Sequence, residues 1–209
     1  MTITDETLKK VAEKSMQNAA SLRDDADILK EAKRYQRAYA LYQFSMEEVG
    51  KAIESVLLLV LIDPQPEDIR QYKKNFFKHT AKIKRSSALD TFICQVLYKG
   101  DYDGALLFLK SSFAEDENEL DDCKNKSLYT SVIGDHVKTP LEMIDEEKMN
   151  YIWLRAITRY KIAEPFVRML IEHYETLREY QKENGSLKHM SRDSDEVAKE
   201  FWDEITGKE

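Results

Sequence analysis

The chain has 209 residues, with 32 Lys plus Arg against 39 Asp plus Glu and a net charge of −7, a size for one domain with at most a small appendage. Hydrophobic residues at 42% and charged residues at 34% support a packed core and exclude wholesale disorder. Only 6 Gly and 4 Pro disfavour a many-turned β-sandwich or barrel, and 2 Cys (Cys94, Cys123) are too few for a disulfide framework or a four-cysteine zinc site.

In chain order, Thr4 caps a first helix whose stripe runs through Leu8, Val11, Ala12, Ser15, Ala19, Leu22, Ala26 and Leu29. A second helix runs from about Arg34 to Ile62, with small residues on one face and an apolar end, VLLLVLI, that implies burial on every side. Asp63-Pro64-Gln65-Pro66 stops it. A third helical stretch is expected from Glu67 to about Tyr98, broken near Ser86-Ser87, then a turn at Lys99-Gly100-Asp101, a short helix Tyr102 to Phe113, and another from Asp116 to Tyr129. Ser131 to Pro140 has no helical stripe and reads as a loop. The pattern resumes from Asp145 to Ile162, and Pro165 suits the first turn of a new helix ending at Asn184-Gly185. A short amphipathic segment, Glu196 to Ile205, closes the chain.

These elements make an all-α bundle of long antiparallel helices with additional short ones: a helical domain over residues 1–185 and a tail over 186–209. The longest apolar run, Val56 to Ile62, falls far short of the roughly 20 residues that span a bilayer. Asp5 and Glu6 precede any apolar stretch, unlike a signal peptide. A cytoplasmic protein with no membrane partner is the expectation.

Charge is uneven. Between Ile69 and Leu89 there is no acid, but Arg70, Lys73, Lys74, Lys78, Lys82, Lys84 and Arg85 are interleaved with Tyr72, Phe76 and Phe77. Such a stretch suits either an RNA-binding face, with phosphates on Arg70, Lys73, Lys74 and Lys78 and bases on the rings, or a solvated helix face.

The residues three before His79, His136, His173 and His189 are Phe76, Ile133, Leu170 and Ser186, so the Glu-x-x-His pairs of di-iron bundles are missing. There is no His-Glu-x-x-His, Cys-x-x-Cys or Gly-rich phosphate loop, so neither a dedicated metal site nor a cofactor is expected. In the second helix, Glu48 lies near the small-residue stripe, and Glu47 is one turn before Lys51 and can pair with it along the surface. A carboxylate at a core edge needs partners. Asn18 and Asp25 from the first helix, and His79 and Lys82, are candidates to meet Glu48 and Lys51, either as a functional pocket or as a network that fixes helix register.

The segment NAASLRDDADILKEAKRYQRAYALYQFSMEEVGKA resembles the opening of the AbiV family, bacterial abortive-infection proteins of the HEPN superfamily. FFKHTAKI, like the family's His-x-x-Lys, and KNKSLYTSV, like its Leu-Tyr-Val segment, follow in the same order, with Thr130-Ser131 where Val-Asp is expected. Together these pieces cover roughly residues 15–140. The resemblance implies an antiphage role and an α-helical fold that commonly dimerises. It also implies, as in many HEPN proteins, a metal-independent ribonuclease using an Arg and a His four to six residues apart at the dimer interface. Arg168 and His173 are that pair here, although five residues along a helix separate side chains by about 140°. Arginine can clamp a phosphate and histidine can move the proton. Arg155 and Arg159 would extend the cationic surface. A variant moves the chemistry to Glu48, Lys51 and His79. The alternatives are a binding module without turnover, engaging RNA, a ribosome or a phage protein, and one half of a toxin–antitoxin pair. No DNA partner is expected.

Overall fold

A computed structural model describes residues 3–86 and 117–184. Helix α1 (Asp5–Glu31) begins where the Thr4 hydroxyl accepts the Thr7 N–H at 3.2 Å, with Asp5 and Glu6 complementing the positive end of the helix dipole. A tight turn through Lys33, in the left-handed region at φ 55, reverses the chain into α2 (Tyr35–Val60). The two helices pack antiparallel. Ala12, Ala19 and Ala26 are buried on the α1 face, and these small side chains let the backbones approach until the Ser45 hydroxyl donates to the Ala19 carbonyl at 2.7 Å.

Helix α3 (Pro66–Phe77) starts with proline in its first turn and a capping box between Gln65 and Asp68. The long third helix expected from the sequence breaks earlier than at Ser86-Ser87. Lys78 is extended (φ −92, ψ 115), and residues 79–86 form a separate helix, α4, against α2. The rest of that expected stretch, the turn at 99–101, the short helix 102–113 and the tail at 186–209 lie outside the described residues.

Helix α5 (Glu117–Leu128) follows. The expected loop after it is instead a hairpin of β1 (Ser131–Ile133) and β2 (His136–Lys138), paired antiparallel with Val132 opposite Val137. The β-branched residues favour the strands, and Gly134 at φ 59 supplies the left-handed first position of a two-residue turn. A single turn, α6 (Pro140–Met143), leads to α7 (Glu146–Asn184). No new helix starts at Pro165. The proline sits inside α7, and buried Ala163, Val167 and Leu170 clamp the helix to the core on both sides of it.

Helix α7 lies antiparallel to α1 along a ladder of cations over rings: Lys30 on Trp153 at 3.3 Å, Arg23 on Tyr160 at 4.4 Å and Lys9 on Tyr174 at 4.2 Å. It runs parallel to α2, so α2 is enclosed by α1 and α7 on two sides and by α3, α4 and α5 on the others. At the apolar end of α2, Val56, Leu58, Leu59 and Val60 are buried, whereas Leu57, Leu61 and Ile62 are half-buried, so the expected burial on every side is incomplete. No described helix is long and apolar enough to cross a membrane.

Candidate functional site

Three elements converge on one buried carboxylate. Glu47, midway along α2, is 3% exposed. Leaving a bare carboxylate in the core is prohibitive, so partners must compensate it. His79 and Lys82, one turn apart on α4, supply two: His79 Nδ1 lies 2.5 Å from Glu47 Oε2 and Lys82 Nζ 3.3 Å from it. Lys124 on α5 donates to Glu47 Oε1 at 2.8 Å and to Asp121 at 2.6 Å. Burial pushes the Glu47 carboxyl up, but the hydrogen bonds from Lys124 and His79 and the charges of Lys124 and Lys82 outweigh it and hold it below the ordinary value.

Gly50, one turn after Glu47, makes this possible. A Cβ there would stand 2.0 Å from the Lys82 carbonyl oxygen, so only glycine lets the α4 backbone lie against α2. On the far side of that contact, Glu54 accepts from Asn75 at 2.9 Å and from Arg85 through a short bond. The crossing is thus pinned by a carboxylate cluster on each side of a glycine.

The site is asymmetric in exposure. Lys82 and Lys124 are buried, whereas the His79 side chain is 52% exposed. Glu47, His79 and Asp121 also offer three donor atoms close enough to share a cation. The Lys124 ammonium already bridges Glu47 and Asp121, so both acids are compensated by the chain itself.

The sequence-derived pocket is thereby divided. His79 and Lys82 meet Glu47, not Glu48. The roles assigned to the two glutamates are exchanged: Glu48, not Glu47, pairs with Lys51. Glu48 and Lys51 line an open groove of about 430 Å3 with Asn18, Lys10, Lys14 and Phe76. Asp25 is exposed on α1 and joins neither arrangement. Its neighbour Asp27 takes the Tyr42 hydroxyl at 2.5 Å; burial, then that bond, pushes the phenol far up.

Of the residues read as RNA-binding, Lys73, Lys74 and Lys78 are exposed, and Arg70 forks onto Glu67 at 2.6 and 2.5 Å. Arg155 is partly exposed and reaches the Tyr151 hydroxyl at 3.2 Å. Arg159 does not belong on that surface. It is 0% exposed, its guanidinium 3.4 Å from Met46 Sδ and 3.5 Å from the Ser86 hydroxyl. Arg168 and His173 are both exposed on the uninterrupted α7, and Arg168 pairs with Glu164 at 3.4 Å. Five positions apart on a regular helix, they point about 140° apart and do not converge within one chain.

Sequence reasoning missed Glu47 as the centre, and Asp121 and Lys124 altogether. A signal for Glu47 existed: glycine inside a helix marks a face where another backbone approaches, and Glu47 is one turn from Gly50 on that face. No local signal announces Lys124, which is 77 residues from its partner.

No curated protein and no solved structure matches the chain. A family model described as AbiV (HEPN_AbiV) matches residues 7–161, a span that includes Glu47, Gly50, His79, Lys82 and Lys124 and stops short of Arg168 and His173. The chain therefore belongs to the AbiV family of the HEPN proteins, a family of antiphage defence by abortive infection.

Proposed function

We propose that this AbiV-family protein acts in phage defence as a metal-independent endoribonuclease, with His79 as its catalytic residue and Glu47 as the group that positions it. The observation that supports this reading is the pairing of a buried, ionised carboxylate with the Nδ1 of a half-exposed imidazole at 2.5 Å. An ionised Glu47 can only accept, so Nδ1 carries the proton, and in the neutral ring Nε2 is the free base. Nε2 takes the proton from an RNA 2′-hydroxyl, and the 2′ oxygen attacks the adjacent phosphorus. The bond from phosphorus to the 5′ oxygen breaks, and the imidazolium returns its proton to that leaving oxygen. The products are a 2′,3′-cyclic phosphate and a 5′-hydroxyl. Exposed Lys78, next to His79 in the chain, and exposed Lys74, one turn earlier on α3, supply positive potential for the phosphate.

The test is cleavage of labelled RNA in EDTA by wild type, His79→Ala and His173→Ala. Loss in His79→Ala alone, with cyclic-phosphate ends in the wild type, is the expected result. An inactive wild type, with or without phage extract, overturns the enzyme in favour of a module that only binds RNA, a ribosome or a phage protein.

A second reading is favoured by the outer face of α7. Exposed Tyr151, Leu154, Met169 and Tyr180 fall within about 80° of one another around the helix, and His173 lies about 20° beyond the edge of that sector. A homodimer through this stripe brings His173 of each copy to the interface, with Arg168 at its margin. Loss of cleavage in His173→Ala alone selects this reading.

A further inference from the structure

Phe77 is the last residue of α3 and is 80% exposed. It is not a loose ring. Phe76 packs edge-on against it with centroids 5.3 Å apart, and Phe76 in turn rests on Tyr72 at 5.9 Å, a residue of the core. The aromatic chain runs from the interior to the surface and ends in a ring that faces water. The extended Lys78 and then His79 follow directly, so this ring stands two residues from the half-exposed imidazole.

The surroundings select what such a ring would hold. Exposed Lys73, Lys74 and Lys78 flank it, and the chain has no acid between Ile69 and Leu89 although its net charge is −7. An apolar partner alone would make no use of the positive charge of Lys74 and Lys78. A base-paired duplex would present its phosphates but keep its bases stacked inside. A single strand offers both an accessible flat base and a phosphate one sugar away.

We propose that Phe77 is a stacking platform for an unpaired nucleobase of single-stranded RNA, with Lys74 and Lys78 holding the phosphates on either side. This rests on the reading of His79 as the catalytic residue, because it sets the strand across Nε2. It is also measurable without cleavage.

The probe is a fluorescein-labelled 2′-O-methyl oligoribonucleotide, whose blocked 2′ oxygen cannot react, used single-stranded and as a duplex. Affinities are read by anisotropy for wild type, Phe77→Leu, Phe77→Trp and His79→Ala. A stacked base contributes about tenfold or more in affinity. Phe77→Leu, which keeps the bulk and loses the π face, should weaken single-strand binding by about that factor, whereas Phe77→Trp should retain it and the duplex should bind weakly to all. The ring is at the surface, so circular dichroism should be unchanged in each variant. Equal single-strand affinity for Phe77→Leu and wild type overturns the platform, and would mark the ring as a contact for a protein partner. His79→Ala separates the two ideas. Binding retained with cleavage lost upholds both, and Phe77-dependent binding by a wild type that never cleaves upholds the platform while the nuclease falls.

Discussion

At the scale of single residues, Glu47 decides most of what the site can be. Two buried ammonium groups and an imidazole point at one carboxylate, so removing its charge strands Lys82 and Lys124 in the core. Glu47→Gln should therefore cost about 3–5 kcal/mol in urea unfolding at pH 7, and the double variant with Lys124→Met should cost less than the sum of the two single changes. The pH dependence follows from the direction of the shift. The folded carboxyl titrates below its ordinary value of 4.5, so its stabilisation is complete above that value and is lost as the pH falls through the folded one. Wild type should lose stability steeply below about pH 4.5, and Glu47→Gln should be flatter there. An equal acid slope in the two proteins would show that Glu47 is not compensated as described. The motifs that carry the family resemblance, Glu-Glu-x-Gly-Lys and His-x-x-Lys, are brought together at Glu47, but helical spacing alone assigned the two glutamates to the wrong sides. Burial on α2 is nearly all-round near its middle, and a stripe read from apolar residues does not rank two adjacent acids.

At the scale of elements, the crossing of α2 and α4 at Gly50 sets the geometry that the chemistry needs. Gly50→Ala places a methyl against a backbone carbonyl, which cannot swing aside as a side chain would. The helices must part, at about 1–3 kcal/mol, and His79 and Lys82 should withdraw from Glu47. The expected signature is a lowered melting temperature with near-unchanged helix content and a fall in cleavage approaching that of His79→Ala. An alanine variant with wild-type melting and activity would remove the crossing from the argument. Helices α1 and α2 were legible to within a few residues because caps, prolines and one-sided apolar stripes agree there. The break at Lys78 was not, since no Gly or Pro marks it; α4 turns there to bring its cations to α2 acids that are distant in sequence. The opposite error at Pro165 has the same origin. A proline forfeits one backbone bond, and the packing of α7 against α1 and α2 over its whole length outweighs that local loss.

At the scale of the whole molecule, α7 does two jobs on two faces. Its inner face closes the bundle, and near its C-terminal end it satisfies the end of α2. Gln181 donates to the Val60 carbonyl at 2.7 Å, and Arg178 donates to the Leu61 carbonyl while forking onto Asp5 at 2.7 and 2.9 Å. Its outer face is the unusual one, because Tyr151, Leu154, Met169 and Tyr180 expose apolar surface along some 29 residues of helix, about 44 Å. On the reading that this face is an interface, a two-fold contact between like helices would be self-complementary. The expected particle in sedimentation is therefore twice the 24.5 kDa chain. Met169→Glu and Leu154→Glu, both at exposed positions, should shift it to the monomer without loss of helix content. Coupling that shift to activity discriminates between the two candidate sites. The Glu47–His79 pair is complete within one chain and should keep cutting RNA as a monomer, whereas a site built from Arg168 and His173 of two copies should stop when the copies part. A wild type that sediments as a monomer and still cleaves would leave the α7 stripe to a different partner and the chemistry to His79.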